Sequence, residues 1–211
     1  MSVDERPTAA GARRFGDLTT GEMDVAQRSV NDWLVEYLYP DRAGTGVEIG
    51  GPMAALLRSP KLAEAVGRMV PLMFDGLSIP RKATELAILL TARHWNCHFE
   101  FDTHRRYAEQ HGIDVAAIEA IANGVRPEMT SDLADTYEFV VQLLRVGDVG
   151  DAAFASVNER WGQQGSVELI AVVGFYSMLA MVLNVDRYPV PASERLLPDL
   201  AERGGDVIDG Q

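Results

Sequence analysis

Between Glu85 and His111 the chain reads ELAILLTARHWNCHFEFDTHRRYAEQH, and the change of character inside this stretch dictates much of the fold. Leu86, Ala87, Ile88, Leu89, Leu90 and Ala92 make a segment that is apolar almost all round, the pattern of a helix buried on every side. Asn96 interrupts it. A polar, histidine-bearing helical pattern follows from about Cys97 to His111 and stops at Gly112, a residue suited to a left-handed helix terminus. A central helix over about Pro80–Trp95, folded back on its successor as a hairpin, is therefore expected.

The rest of the sequence supports an all-α fold. A first helix is expected over about Gly21–Tyr39, with Val25, Val30, Trp33, Leu34 and Leu38 as its apolar face. PDRAGTGVEIGGP is a loop of helix breakers, and Pro52 and Ser59-Pro60 each mark a helix start. Gly76 ends the second of these, and Ser78-Ile79-Pro80 opens the central helix. Asp114 caps a short helix reaching Ala122. Helices near 131–146, 151–161 and 166–183 complete one domain of about residues 20–191, and no convincing strand pattern occurs. Residues 1–19 read as a flexible arm, and 192–211 as a polar, acidic tail.

The stretch Glu85–His111 also holds all 4 histidines and the single cysteine. On one helix Cys97, Glu100 and His104 share a stripe, with Glu100 and His104 an i,i+4 pair. Glu85, on the preceding segment, reaches the same place if the two helices pack as a hairpin. A carboxylate beside an imidazole fixes the ring's tautomer and suits it to proton transfer near neutral pH. The plain alternatives are a surface ion pair for Glu100–His104, and for Glu85 a buried salt bridge to Arg93 or Arg105. Trp95, Phe99 and Tyr176 are candidate apolar walls, and Cys97 a pocket residue. His94 and His98 fall on either side of the break at Asn96, so no metal site is expected. His111 reads as a helix C-terminal residue. No glycine-rich phosphate loop, nucleophile elbow or dinucleotide fingerprint is present.

With 211 residues and 47% hydrophobic content, the chain has enough apolar side chains for one substantial core. Its net charge of −12 opposes nucleic acid and anionic membranes as partners. No apolar run approaches the ~18 residues that span a bilayer, and the N-terminus lacks a secretory signal. A single cysteine suits a reducing compartment, so a cytoplasmic setting is expected.

Glu85-x11-Cys97-x2-Glu100-x3-His104 resembles the signature of the carboxymuconolactone decarboxylase family, which also contains the alkylhydroperoxidase-D-like proteins. GPMAALLRSPKLAEAV upstream and VELIAVVGFYSMLAMVLN downstream are similar to family segments, so the resemblance covers about residues 20–191. It implies a helical bundle assembled as a homotrimer or hexamer, with the site on the helix hairpin. Peroxidase members carry Cys-x-x-Cys, and Glu100 here replaces the second, attacking cysteine. Phe99-Glu100-Phe101 matches the aromatic-Glu-aromatic pattern of the decarboxylase branch, whereas Thr84 stands where that branch often has arginine.

The resemblance implies a cofactor-independent lyase or isomerase acting on a small activated carboxylic acid or lactone. In it His104 delivers the proton, Glu100 orients His104, and Glu85 relays protons or holds a water. One alternative is a one-cysteine peroxidase using Cys97 with an external thiol. Another is a non-catalytic member, recognised by the lack of contact between Glu100 and His104.

Overall fold

The computed structural model describes residues 12–190, 197 and 198. Residues 1–11 of the expected arm, and all but two of the expected tail, lie outside the described residues. Among the described residues the regular structure is helical, without strands. The elements are α1 (Val25–Leu38), α2 (Gly51–Leu56), α3 (Pro60–Asp75), α4 (Arg81–Trp95), α5 (His98–Gln110), α6 (Val115–Ala122), α7 (Ser131–Val146) and α8 (Asp151–Asp186), with one 3₁₀ turn at Pro40–Arg42. Gly162 breaks α8 with φ 67° and ψ −176°, so two helical segments meet there.

α4 is the axis of the fold, as its all-round apolar pattern requires. Every residue from Ala83 to Arg93 is buried, and α5, α7 and α8 pack around it. Ile88 and Leu89 are fully buried, each adding roughly 1.5–3 kcal/mol by the usual transfer scale. The helix start is secured from outside, because the Glu168 carboxylate of α8 accepts from Ser78 N, Ser78 Oγ and Ile79 N. Its end is set by Asn96 in the left-handed region (φ 52°), which turns the chain into α5.

α1 approaches α3 closely at Gly67, where a Cβ would fall 2.3 Å from Leu34 Cδ2. On α1 Asn31, Leu34 and Val35 are buried and Val30, Trp33 and Leu38 pack partly buried against the core, as expected, while Val25 is 88% exposed. That corrects the expected face: Val25 is the first residue after the Asp24 cap and projects beyond the packed turns. Asn31 is buried because its side chain bonds Ile49 N and Val47 O, tying down the following loop.

The described part of the arm is bound to the body. Arg13 reaches Asp186, Phe15 N donates to Asp186 Oδ1, and Arg58 reaches the carbonyls of Phe15 and Gly16. The second segment of α8 also corrects the reading of apolar runs. It contains an 18-residue window of mean hydropathy 2.0, long and apolar enough to cross a membrane, of which 50% is buried within this chain. The few polar residues within it hide this length from a search for unbroken apolar sequence.

Candidate active site

Arg81 and Glu85 lie one turn apart on α4, and α5 runs back alongside. Glu85 is 0% exposed, and a buried carboxylate needs donors. It has one hydrogen-bond donor, His104 Nδ1 at 2.9 Å from Oε2, and an ion-pair partner, Arg81, whose Nη2 lies 2.5 Å from Oε1. Arg81 is itself braced, its guanidinium 4.0 Å above the Phe74 ring and bonded to the Phe74 carbonyl. The imidazole is enclosed by aromatic rings. Tyr176 meets it edge-on at 4.9 Å, with Phe74 and Tyr107 each at 5.8 Å. With the Glu85 carboxylate accepting from Nδ1–H, Nε2 is the nitrogen left for chemistry.

The partnership therefore differs from the expected one. No hydrogen bond joins Glu100 to His104, and Glu85 holds the ring instead. The i,i+4 spacing makes Glu100 and His104 neighbours without forcing them to pair, while the deeper carboxylate on α4 has the greater need of a donor. The arginine beside Glu85 is also neither of those expected. Arg105 pairs with Asp102 and Glu109. Arg93 is buried with Nε and Nη1 lacking an acceptor, and burial lowers its pKa. Arg81, four residues before Glu85, was visible as an i,i+4 pair and was missed, as were Phe74 and Tyr107.

Glu100 is 3% exposed, and its Oε2 is buried without a partner. Burial alone pushes its pKa well above the usual carboxylate range. Cys97, 1% exposed, starts α5. Burial, and secondarily the nearby Glu100, raise its thiol well above the ordinary value, against a smaller opposite pull from the N–H groups of Glu100 and Phe99. Tyr176 is raised by burial first, then by Glu100 and Glu85. Cys97 and Tyr176 are thus neutral at neutral pH, and a neutral buried thiol is a poor nucleophile.

The expected apolar walls divide between two places. Tyr176 lines the imidazole. Trp95 and Phe99 instead pack around Cys97 with Ala180, Leu183 and Tyr188. Phe99 meets Tyr188 at 4.7 Å, and Asn184 Nδ2 donates to the Trp95 carbonyl. Beyond Tyr188 lies a cavity of about 370 Å³, bordered by Arg13, Thr19, Glu48 and Ile49. Tyr107, one of the rings beside the imidazole, is 36% exposed. His94 stacks edge-on against Trp95, and burial lowers its pKa. His111 caps the end of α5. Among the described residues no three His, Cys, Asp or Glu side chains gather as a metal-ligand set.

No protein-family model matches the chain, and no curated protein matches it.

Proposed function

We propose that the chain is a cofactor-independent lyase or isomerase of the carboxymuconolactone decarboxylase type, moving a proton on a small activated carboxylic acid or lactone. The observation that carries this reading is the buried Glu85–His104 hydrogen bond, clamped by Arg81. In the proposed reaction the substrate's own conjugated carbonyl takes up the electrons released by loss of CO₂ or of a proton. His104 Nε2 then gives or takes the proton at carbon. Glu85 orients the ring, and Arg81 fixes Glu85. The apolar surround of Phe74 and Tyr176 strengthens these charge interactions. The enzyme would work in the cytoplasm as a homotrimer or hexamer.

The buried, protonated state of Cys97 speaks against the one-cysteine peroxidase. A non-catalytic binding role is the second reading. It is favoured by the missing Glu100–His104 hydrogen bond and by how little of either side chain reaches solvent. A panel of unsaturated lactones and carboxy-lactones, followed for CO₂ release and loss of conjugated absorbance, separates the three. The proposed function requires turnover that His104→Ala removes and Cys97→Ser keeps. Peroxide consumption abolished by Cys97→Ser would support the peroxidase, and no turnover on any panel member would support the binding role.

A further inference from the structure

We propose that Glu100 is a neutral carboxylic acid that donates its proton to the carbonyl oxygen of an uncharged substrate, so that the site acts on a lactone or enone rather than on a carboxylate. This rests on the reading of His104 as a proton-transfer group, and it goes further by naming a second catalytic residue and the charge of the substrate.

Three observations carry it. Glu100 is buried at 3% exposure, and its Oε2 has no hydrogen-bond partner. An ionised carboxylate would leave that oxygen without a compensating donor, whereas a carboxylic acid needs only one acceptor, which a substrate carbonyl supplies. Second, the groups facing it offer no cation. They are Cys97 and His104 on its own helix, Tyr176 from α8, and, across the imidazole, Glu85 and Arg81 from α4. Arg81 and His104, the two able to bear positive charge, are both bound to Glu85. Burial accordingly pushes the Glu100 pKa upward. Third, with Arg81 and His104 both held by Glu85, a substrate carboxylate would find neither of them free and would also face the acidic groups of Glu100 and Tyr176. Two carboxyl groups in one site, one bound by cations and one buried without them, take opposite roles.

The chemistry balances without a co-reactant. His104 Nε2 takes a proton from the carbon beside the carbonyl while the Glu100 O–H gives its proton to the carbonyl oxygen. The products are an enol, an imidazolium and a Glu100 carboxylate. The imidazolium then returns its proton to the far end of the conjugated system, and the enol O–H reprotonates Glu100. The net change is a 1,3-shift of the double bond, with both side chains restored.

The test uses the full chain, an uncharged β,γ-unsaturated γ-lactone and the same lactone bearing a ring carboxylate. Infrared difference spectra of carbon-13 glutamate-labelled protein at neutral pH should show a protonated carboxyl band that Glu100→Gln removes. Calorimetry should show the uncharged lactone binding at least tenfold more tightly than its carboxylate counterpart. An ionised Glu100, no binding of the uncharged lactone, or tighter binding of the carboxylate would overturn the proposal. In deuterated buffer, exchange into the bound lactone should fall by about 10²-fold or more in Glu100→Gln. Exchange lost in His104→Ala but unchanged in Glu100→Gln sinks this inference alone. Exchange that survives His104→Ala sinks the underlying reading of the site.

Discussion

Asp186, in the last turn of α8, receives Arg13 Nε at 2.9 Å and Nη2 at 2.6 Å across 173 residues of sequence. The Asp186 side chain is 0% exposed, and Phe15 N donates to its other oxygen. Arg13 also lies over the Tyr188 ring at 4.7 Å, so one buried carboxylate holds the N-terminal strap against the end of α8.

Asp186→Asn should release that strap. A hydrogen bond to a charged group is worth about 1.5–3 kcal/mol, and the loss should fall in that range by denaturant unfolding. Limited proteolysis should then cut between residues 12 and 20 faster than in the parent protein. Unchanged cleavage would mean that Arg58, through the carbonyls of Phe15 and Gly16, suffices to hold the strap.

This contact was illegible in the sequence, where Arg13 belonged to an aperiodic, apparently flexible arm. The all-α class and the central place of α4 were legible, because an apolar run without a polar face leaves a helix no surface to turn to water. The hairpin turn was legible at Asn96 for its tolerance of positive φ. The pairing inside the site was not. Periodicity places Glu100 and His104 on one stripe, but which carboxylate wins the imidazole depends on relative burial across two helices. Only the packing of α4 against α5 and α8 decides that in favour of Glu85. The same packing separates Trp95 and Phe99 from Tyr176, although all three are aromatic residues of the same helix pair and its neighbour.

Glu100 should impose a pH dependence on stability. Its folded-state pKa lies above the ordinary value of 4.5, so above that pH the folded chain holds a proton that the unfolded chain releases. Its contribution is full below about pH 4.5 and is lost as pH rises from there to the raised folded-state value, by up to ~1.4 kcal/mol per unit of pH. His94 acts oppositely below about 6.5, its folded pKa being lowered by burial. Comparing wild type with Glu100→Gln cancels His94. The difference in unfolding free energy should move in favour of the variant as pH rises from 5 to 8, and a difference independent of pH would contradict burial of a protonated Glu100.

α8 should mediate self-association. Val167, Ile170, Met181 and Val185 are 64%, 43%, 43% and 48% exposed along one helical stripe, and a Cβ on Gly174 in its midst would meet nothing within 4 Å. α4, by contrast, is already covered by its own chain. Sedimentation should show a trimer or a dimer of trimers at micromolar concentration, which Ile170→Glu or Met181→Glu dissociates. A compact wild-type monomer would refute this.

His104→Ala should lower turnover by ~10²–10⁴-fold. Because the pair is buried, the variant should also lose roughly 1–3 kcal/mol of stability, since Glu85 then loses the hydrogen bond to its Oε2. Cys97→Ser should retain near-normal turnover, and its failure to do so would return the thiol to the mechanism.

The central claim is that Glu85 fixes the His104 ring through Nδ1, leaving Nε2 for substrate. Nitrogen-15 spectra of imidazole-labelled protein, with His104 assigned by comparison with His104→Gln, test this without knowledge of the substrate. The expected result is a proton on Nδ1 in a strong hydrogen bond, which Glu85→Gln weakens or abolishes. A His104 ring carrying its proton on Nε2 alone, with Nδ1 bare and indifferent to Glu85→Gln, would contradict it.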